Sequence, residues 1–241
     1  MNAYSQSRPQ DIPDFDAGLQ SHMNKVYAVM SAGLLITFAV AWALGSNPDL
    51  FAFLRDPETM KPGLLGIAVM FAPLLMLFFS GAVMRMSAGA VRTFFYTFSA
   101  VMGMSLSWIF VAYTGISIAQ VFLVTAISFA GLSLWGYTTK RDISGLGSFL
   151  IMGLIGIIVA SLVNLFLMSS AIHFAVTVLG VLIFAGLTAH DTQKIKLTYL
   201  DHSGSADREW LDKSATMGAL ELYLDFINLM LMLLRLLGNR N

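Results

Sequence analysis

Long apolar runs dominate the chain, and polar residues gather between them. A helix that crosses a bilayer needs about 20 mainly apolar residues, because the hydrocarbon core is about 30 Å thick and a helix rises about 1.5 Å per residue. Seven segments meet that requirement: Val26–Leu44, Gly63–Met84, Thr93–Tyr113, Ile116–Tyr137, Ser148–Met168, Ala171–Ala189 and Ala215–Leu237. The pattern therefore predicts an all-α membrane protein with seven transmembrane helices. Residues 1–24 read as a polar N-terminal tail, and residues 25–241 as one transmembrane domain. The connections near Gly115 and Ser169–Ser170 are very short, so spans three and four, and five and six, are expected to form tight helical hairpins. Two loops read as long: Gly45–Pro62, with three prolines, and the charged stretch His190–Ser214.

Composition excludes an ordinary soluble domain. Apolar residues make up 57% of the chain, against about 45–50% in soluble domains, and charged residues 12%, against about 25%. Mean hydropathy is +0.74. The formal net charge is zero, so nothing favours nucleic acid as a partner. There is no cysteine, which removes disulfides, thiolate metal sites and cysteine nucleophiles together. The first apolar run follows a stretch holding Arg8, Asp11, Asp14, Asp16 and Lys25, without a basic lead-in or small-residue cleavage site. It reads as a retained helix rather than a signal peptide.

Basic residues give an orientation. With the N-terminus inside, the inner segments hold Arg8, Lys25, Arg85, Arg92, Lys140, Arg141, Lys194, Lys196, Arg208 and Lys213. The outer ones hold Arg55, Lys61, Arg235 and Arg240. The asymmetry predicts a cytoplasmic N-terminus and an outer C-terminus. Trp42, Trp108 and Trp135 suit either an interfacial belt or packing between helices. Gly153, Gly156 and Ala160 read as ordinary small-residue packing on span five.

Ionisable groups at membrane depth are costly and usually face the bundle interior. Asp225 is the clearest, about ten residues or roughly 15 Å into the last span. Glu221 and Asn228 share its helical face, one turn to either side. Asp225 has two readings: a structural one, hydrogen-bonded to neighbouring hydroxyls, and a functional one. Arg85 and Asp191 close the inner ends of spans two and six, so both are expected at similar depth. Singly, each reads as an interfacial charge. Their convergence with Asp225 carries the functional reading. Facing carboxylates in a low-dielectric site tend to share a proton, and carboxylate oxygens suit hard cations such as Ca²⁺. His190 lies at the membrane boundary, where it is either simply solvated or able to titrate near neutral pH.

The segment GLTAHDTQKIK at 186–196 resembles the signature of the Bax inhibitor-1 family, the transmembrane Bax-inhibitor-motif proteins. LYLDFINL at 222–229 is similar to that family's C-terminal helix, and RTFFYTFSAVMGMSLSWIF at 92–110 to its third span. The resemblance covers the chain from about Val26 and has the form of bacterial members. It implies a seventh helix at the centre, wrapped by the other six. It also implies a pH-sensitive Ca²⁺ leak, with Asp191 and Asp225 as the paired-aspartate proton sensor and gate, and Arg85 as the latch. There are departures. His190 stands where Tyr is common, and Glu221 where a small hydroxyl residue is usual. Some relatives carry an acid in the second span, which here reads AVMFAPLLMLFFS.

The leading expectation is a proton-gated calcium or cation leak channel in the inner (plasma) membrane. Glu221, Asn228 and His190 are candidates for the cation path. The expected partners are the lipid bilayer, calcium ions, protons and other membrane proteins. No cofactor is expected, no metal site is assigned, and the protein is not expected to be an enzyme. The alternative is a non-transporting regulator of a membrane protease or of stress and cell-death responses. An intramembrane aspartyl protease would need Gly-x-Gly before its second aspartate, whereas Asp225 follows LYL. There is no His-Glu-x-x-His zinc motif and no Gly-x-Ser-x-Gly elbow, and no Lys lies inside the seven spans for a retinal Schiff base.

Overall fold

A computed structural model describes residues 12–56, 59 and 61–241. These form nine helices: α1 (Ile12–Gly45), α2 (Pro48–Ala52), α3 (Leu64–Val83), α4 (Ala88–Leu106), α5 (Ile109–Ala112), α6 (Gly115–Thr138), α7 (Ser144–Leu167), α8 (Ser170–His202) and α9 (Arg208–Leu237). Seven stretches among the described residues are long and apolar enough to cross a membrane, with α4 and α5 forming one of them. The seven-span expectation holds.

Several helices run beyond the expected spans, most of all at the start of α1 and the end of α8, for a physical reason. Hydropathy marks where a helix leaves lipid, not where its hydrogen bonds end. Residues 12–24, expected as tail, are the first turns of α1, and Leu19, His22 and Met23 there are buried. The stretch 190–214, expected as a long loop, is helical except at residues 203–207. Thr192, Ile195 and Tyr199 bury one side of the α8 extension, while Lys194, Leu197 and Asp201 stay exposed. That spacing is an amphipathic helix. His202 stacks on Trp210 with ring centres 4.8 Å apart across the following turn, and Asp207 caps α9 by accepting from Trp210 N at 2.7 Å. The loop 45–62 also holds the short α2, capped by Asn47.

Both expected hairpins are tight. Thr114 caps α6. Met168 turns α7 into α8 with φ of 50°, and the Asn164 side chain accepts from Ser169 N at 2.9 Å. α9 is the most buried of the seven spans. It packs against α1, α4, α6 and α8, while α3 packs chiefly on α4, and α7 on α8. Tyr223 locks α9 to two neighbours. Its hydroxyl meets Thr37 Oγ1 at 2.7 Å, and Phe95 and Phe98 of α4 meet its ring edge-on. Trp42 and Trp135 face outward, whereas Trp108 packs near Tyr113. Gly153 lies against Ile183 of α8, and Gly156 faces open space.

Candidate functional site

α8 and α9 pack on each other more extensively than any other pair. Their contact brings the predicted acids together. On α8, Asp191 and Lys194 are one turn apart. On α9, Glu221 and Asp225 are one turn apart. Lys194 Nζ donates to Glu221 Oε1 at 2.8 Å, towards the exposed end. His190 Nδ1 and Asp191 Oδ1 are 2.7 Å apart. Gly147 of α7 lies flat against the His190 ring, where a Cβ would sit 2.9 Å from Cε1. α7 thus holds the imidazole in place beside Asp191.

Asp225 is only 5% exposed, and its Oδ2 is buried without a hydrogen-bond partner among the described residues. The buried hydroxyls of α8 are bonded elsewhere: Thr188 donates to Phe184 O, Thr192 donates to Thr188 O, and Thr192 Oγ1 meets Ser133 Oγ of α6. The charges of Asp191, Glu221 and Lys194 all act on Asp225. The site is therefore three carboxylates with one ammonium at its open end and one imidazole at its side. Asn228 donates to Leu224 O of its own helix at 2.8 Å. Beyond it the buried face of α9 is apolar, at Leu229, Leu233 and Leu234. Among the described residues no three His, Asp or Glu side chains converge closely enough to hold a metal ion.

Arg85 does not join this group. It is exposed in the turn after α3 and makes no ion pair among the described residues. The expected convergence rested on depth, and depth does not say which helix lies beside which. α3 is placed against α4, and Asp191 is engaged by His190 instead. Lys194 is the residue that sequence reasoning missed as part of the site. Its signal was present: a base one turn after Asp191 on one helix, and an acid one turn before Asp225 on the next.

Residues 19–241 match the family described as inhibitor of apoptosis-promoting Bax1. The chain is 47% identical over 224 residues to the inner membrane protein YbhL of Escherichia coli strain K12, covering 93% of this chain and 94% of that one. It is 44% identical over 244 residues to a protein of Caulobacter vibrioides, covering 98% and 96%. It is 43% identical over 227 residues to the protein RP147 of Rickettsia prowazekii, covering 94% and 92%. With seven apolar helices, a match over nearly its whole length and these relatives, the chain belongs to the Bax inhibitor-1 family of membrane proteins.

Proposed function

We propose that the protein is a proton-sensitive cation leak of the inner membrane, the location given in YbhL's name, with Ca²⁺ as cargo. The observation that carries this reading is Asp225: a buried carboxylate with an unpartnered oxygen, in the field of two further acids. Uptake of a proton relieves the repulsion among the three, and loss of that proton leaves a buried negative charge that attracts a passing cation without forming a closed coordination site. The Lys194–Glu221 pair stands at the mouth as a tethered counter-ion. The apolar stretch of α9 beyond Asn228 is the closed part of the path. In this arrangement the charged partner at the mouth is Lys194, and Arg85 takes no part. The reading is of a transport protein and not of an enzyme.

The test is Ca²⁺ flux into proteoliposomes between about pH 6 and pH 8, the range in which shared carboxylate protons and imidazoles titrate. Wild type is expected to show a pH-dependent leak. Asp191→Asn and Asp225→Asn are expected to flatten that dependence. An unchanged pH profile in both variants would sink the sensor, and flux no greater than in empty liposomes would sink transport itself.

A further inference from the structure

The recess between α1 and α6 plays no part in the carboxylate cluster. It has a volume of about 990 Å³ and reaches down to Phe226 of α9. α1 and α6 both pack on α9, and they are bridged by the Tyr27–Ser133 hydrogen bond at 2.7 Å. The α1 wall runs from Ala17 to Leu34, about 26 Å of helix, which is most of a hydrocarbon core of about 30 Å.

The two ends of the recess differ in chemistry. α1 and α6 run in opposite directions, so the start of α1 meets the end of α6. That end carries Gln20, Asn24 and Tyr137. The other end carries Met30, Leu34 and Phe122. Positive charge collects at the polar end. Lys196 Nζ donates to Tyr137 O at 2.7 Å and lies 5.4 Å from the centre of the Tyr137 ring. Lys140 and Arg141 follow just after α6, exposed and in no ion pair among the described residues. Trp135 faces outward at the same end, as an interfacial aromatic does. The outer faces of α3 and α7 are exposed and apolar, and bulk lipid satisfies them. The recess adds a polar end, with three bases standing just outside it, to an apolar slot.

We propose that this recess is a binding site for one acidic glycerophospholipid. Its phosphate would lie at the Lys196–Tyr137 end, and one acyl chain would lie along Met30, Leu34, Phe122 and Phe226. Basic side chains beside a membrane interface attract acidic headgroups in this way, and a chain seated between two helices gains contact that bulk lipid does not give. The site also adjoins the functional cluster. Ser133 lines the recess and meets Thr192 Oγ1 at 2.9 Å, next to Asp191.

The experiment uses the full chain, stripped of lipid in detergent and titrated with palmitoyl-oleoyl phosphatidylglycerol or phosphatidylcholine. Bound lipid is counted by native mass spectrometry. One phosphatidylglycerol per chain is expected at concentrations where phosphatidylcholine is not retained. Ala130→Trp on the α6 wall and Ser31→Trp on the α1 wall each fill the slot and should weaken retention by about tenfold or more. Leu162→Trp on the exposed side of α7 should leave it unchanged, and Lys196→Gln should narrow the preference for the acidic lipid. Equal retention of both lipids by wild type would overturn the proposal. So would full retention in both filled variants, or a wild-type dimer that either filled variant dissolves.

Discussion

Asp225 is the residue on which structure and function pull apart. A buried polar atom without a partner typically costs about 1–3 kcal/mol, and a buried carboxylate is a poor source of stability. Asp225→Val keeps the site filled and removes that cost. It is expected to raise the thermal unfolding temperature in detergent, by the equivalent of about 1–3 kcal/mol, while abolishing the proposed leak. A lowered unfolding temperature would instead make Asp225 structural. Nearby on α8, His190 meets Asp191, and Lys194 meets Glu221 of α9. Asp142 lies outside the spans. Its carboxylate accepts from Ser144 N at 2.9 Å, which holds its pKa below the ordinary value. A lowered carboxylate pKa adds stability above the unfolded value and loses it as pH falls through the folded one. Asp142 therefore stays ionised across the pH range of the flux test. Sequence singled out Asp225 by charge inside an apolar run, Glu221 and Asn228 by its helical face, and His190 and Asp191 by their place at a span end. Their partners were not legible, because a side chain's neighbour depends on helix rotation and packing.

At the scale of elements, two corrections share one cause. The first turns of α1 and the last turns of α8 are helical beyond the apolar runs, since backbone hydrogen bonds continue wherever one face of the helix finds a packed neighbour. At this end of the bundle Lys25 pairs with Asp212, tying α1 to α9, and Gln193 bonds the α6–α7 turn through Arg141 O and Ile143 N. The α6–α8 contact depends on a missing side chain. A Cβ at Gly136 would lie 3.0 Å from Ala189 Cα, so the two backbones are in direct contact. Gly136→Leu is expected to force α6 from α8 and destabilise the fold by about 1–3 kcal/mol, as overpacking does. Thermal unfolding followed by circular dichroism checks this, and an unfolding temperature equal to wild type would refute the close approach. The Ser133–Thr192 hydrogen bond lies one turn away, so the same variant should also disturb the proposed pH response.

At the scale of the molecule, the fold sets which segments share an end. The chain after α9 returns to the α5–α6 turn: Asn239 O accepts from Thr114 N at 3.1 Å, Asn239 N donates to Ser117 Oγ at 2.9 Å, and Arg240 lies 5.7 Å from the Tyr113 ring. The end with Lys25, Lys140, Lys194 and Lys196 is the opposite one. Because the chain has no cysteine, single cysteines report sidedness cleanly. Ser205→Cys in the α8–α9 turn is expected to resist a membrane-impermeant thiol reagent on intact cells, and Thr59→Cys to react. The reverse result would invert the orientation. Sequence alone determined the solvent and the number of crossings, because hydrocarbon thickness imposes a length on every apolar run and leaves few places for charge. It also marked the costly residues and, through two motifs, the family. Tertiary structure alone decided that α9 is the most buried span and that Lys194, rather than Arg85, stands with the acids. It also decided that α1 and α6 leave a recess between them whose polar end lies beside Lys196. Those are lateral relations between helices at one depth. They arise from side-chain shape and from close backbone approaches such as Gly136 on Ala189 and Gly147 on His190, which hydropathy along the chain does not encode.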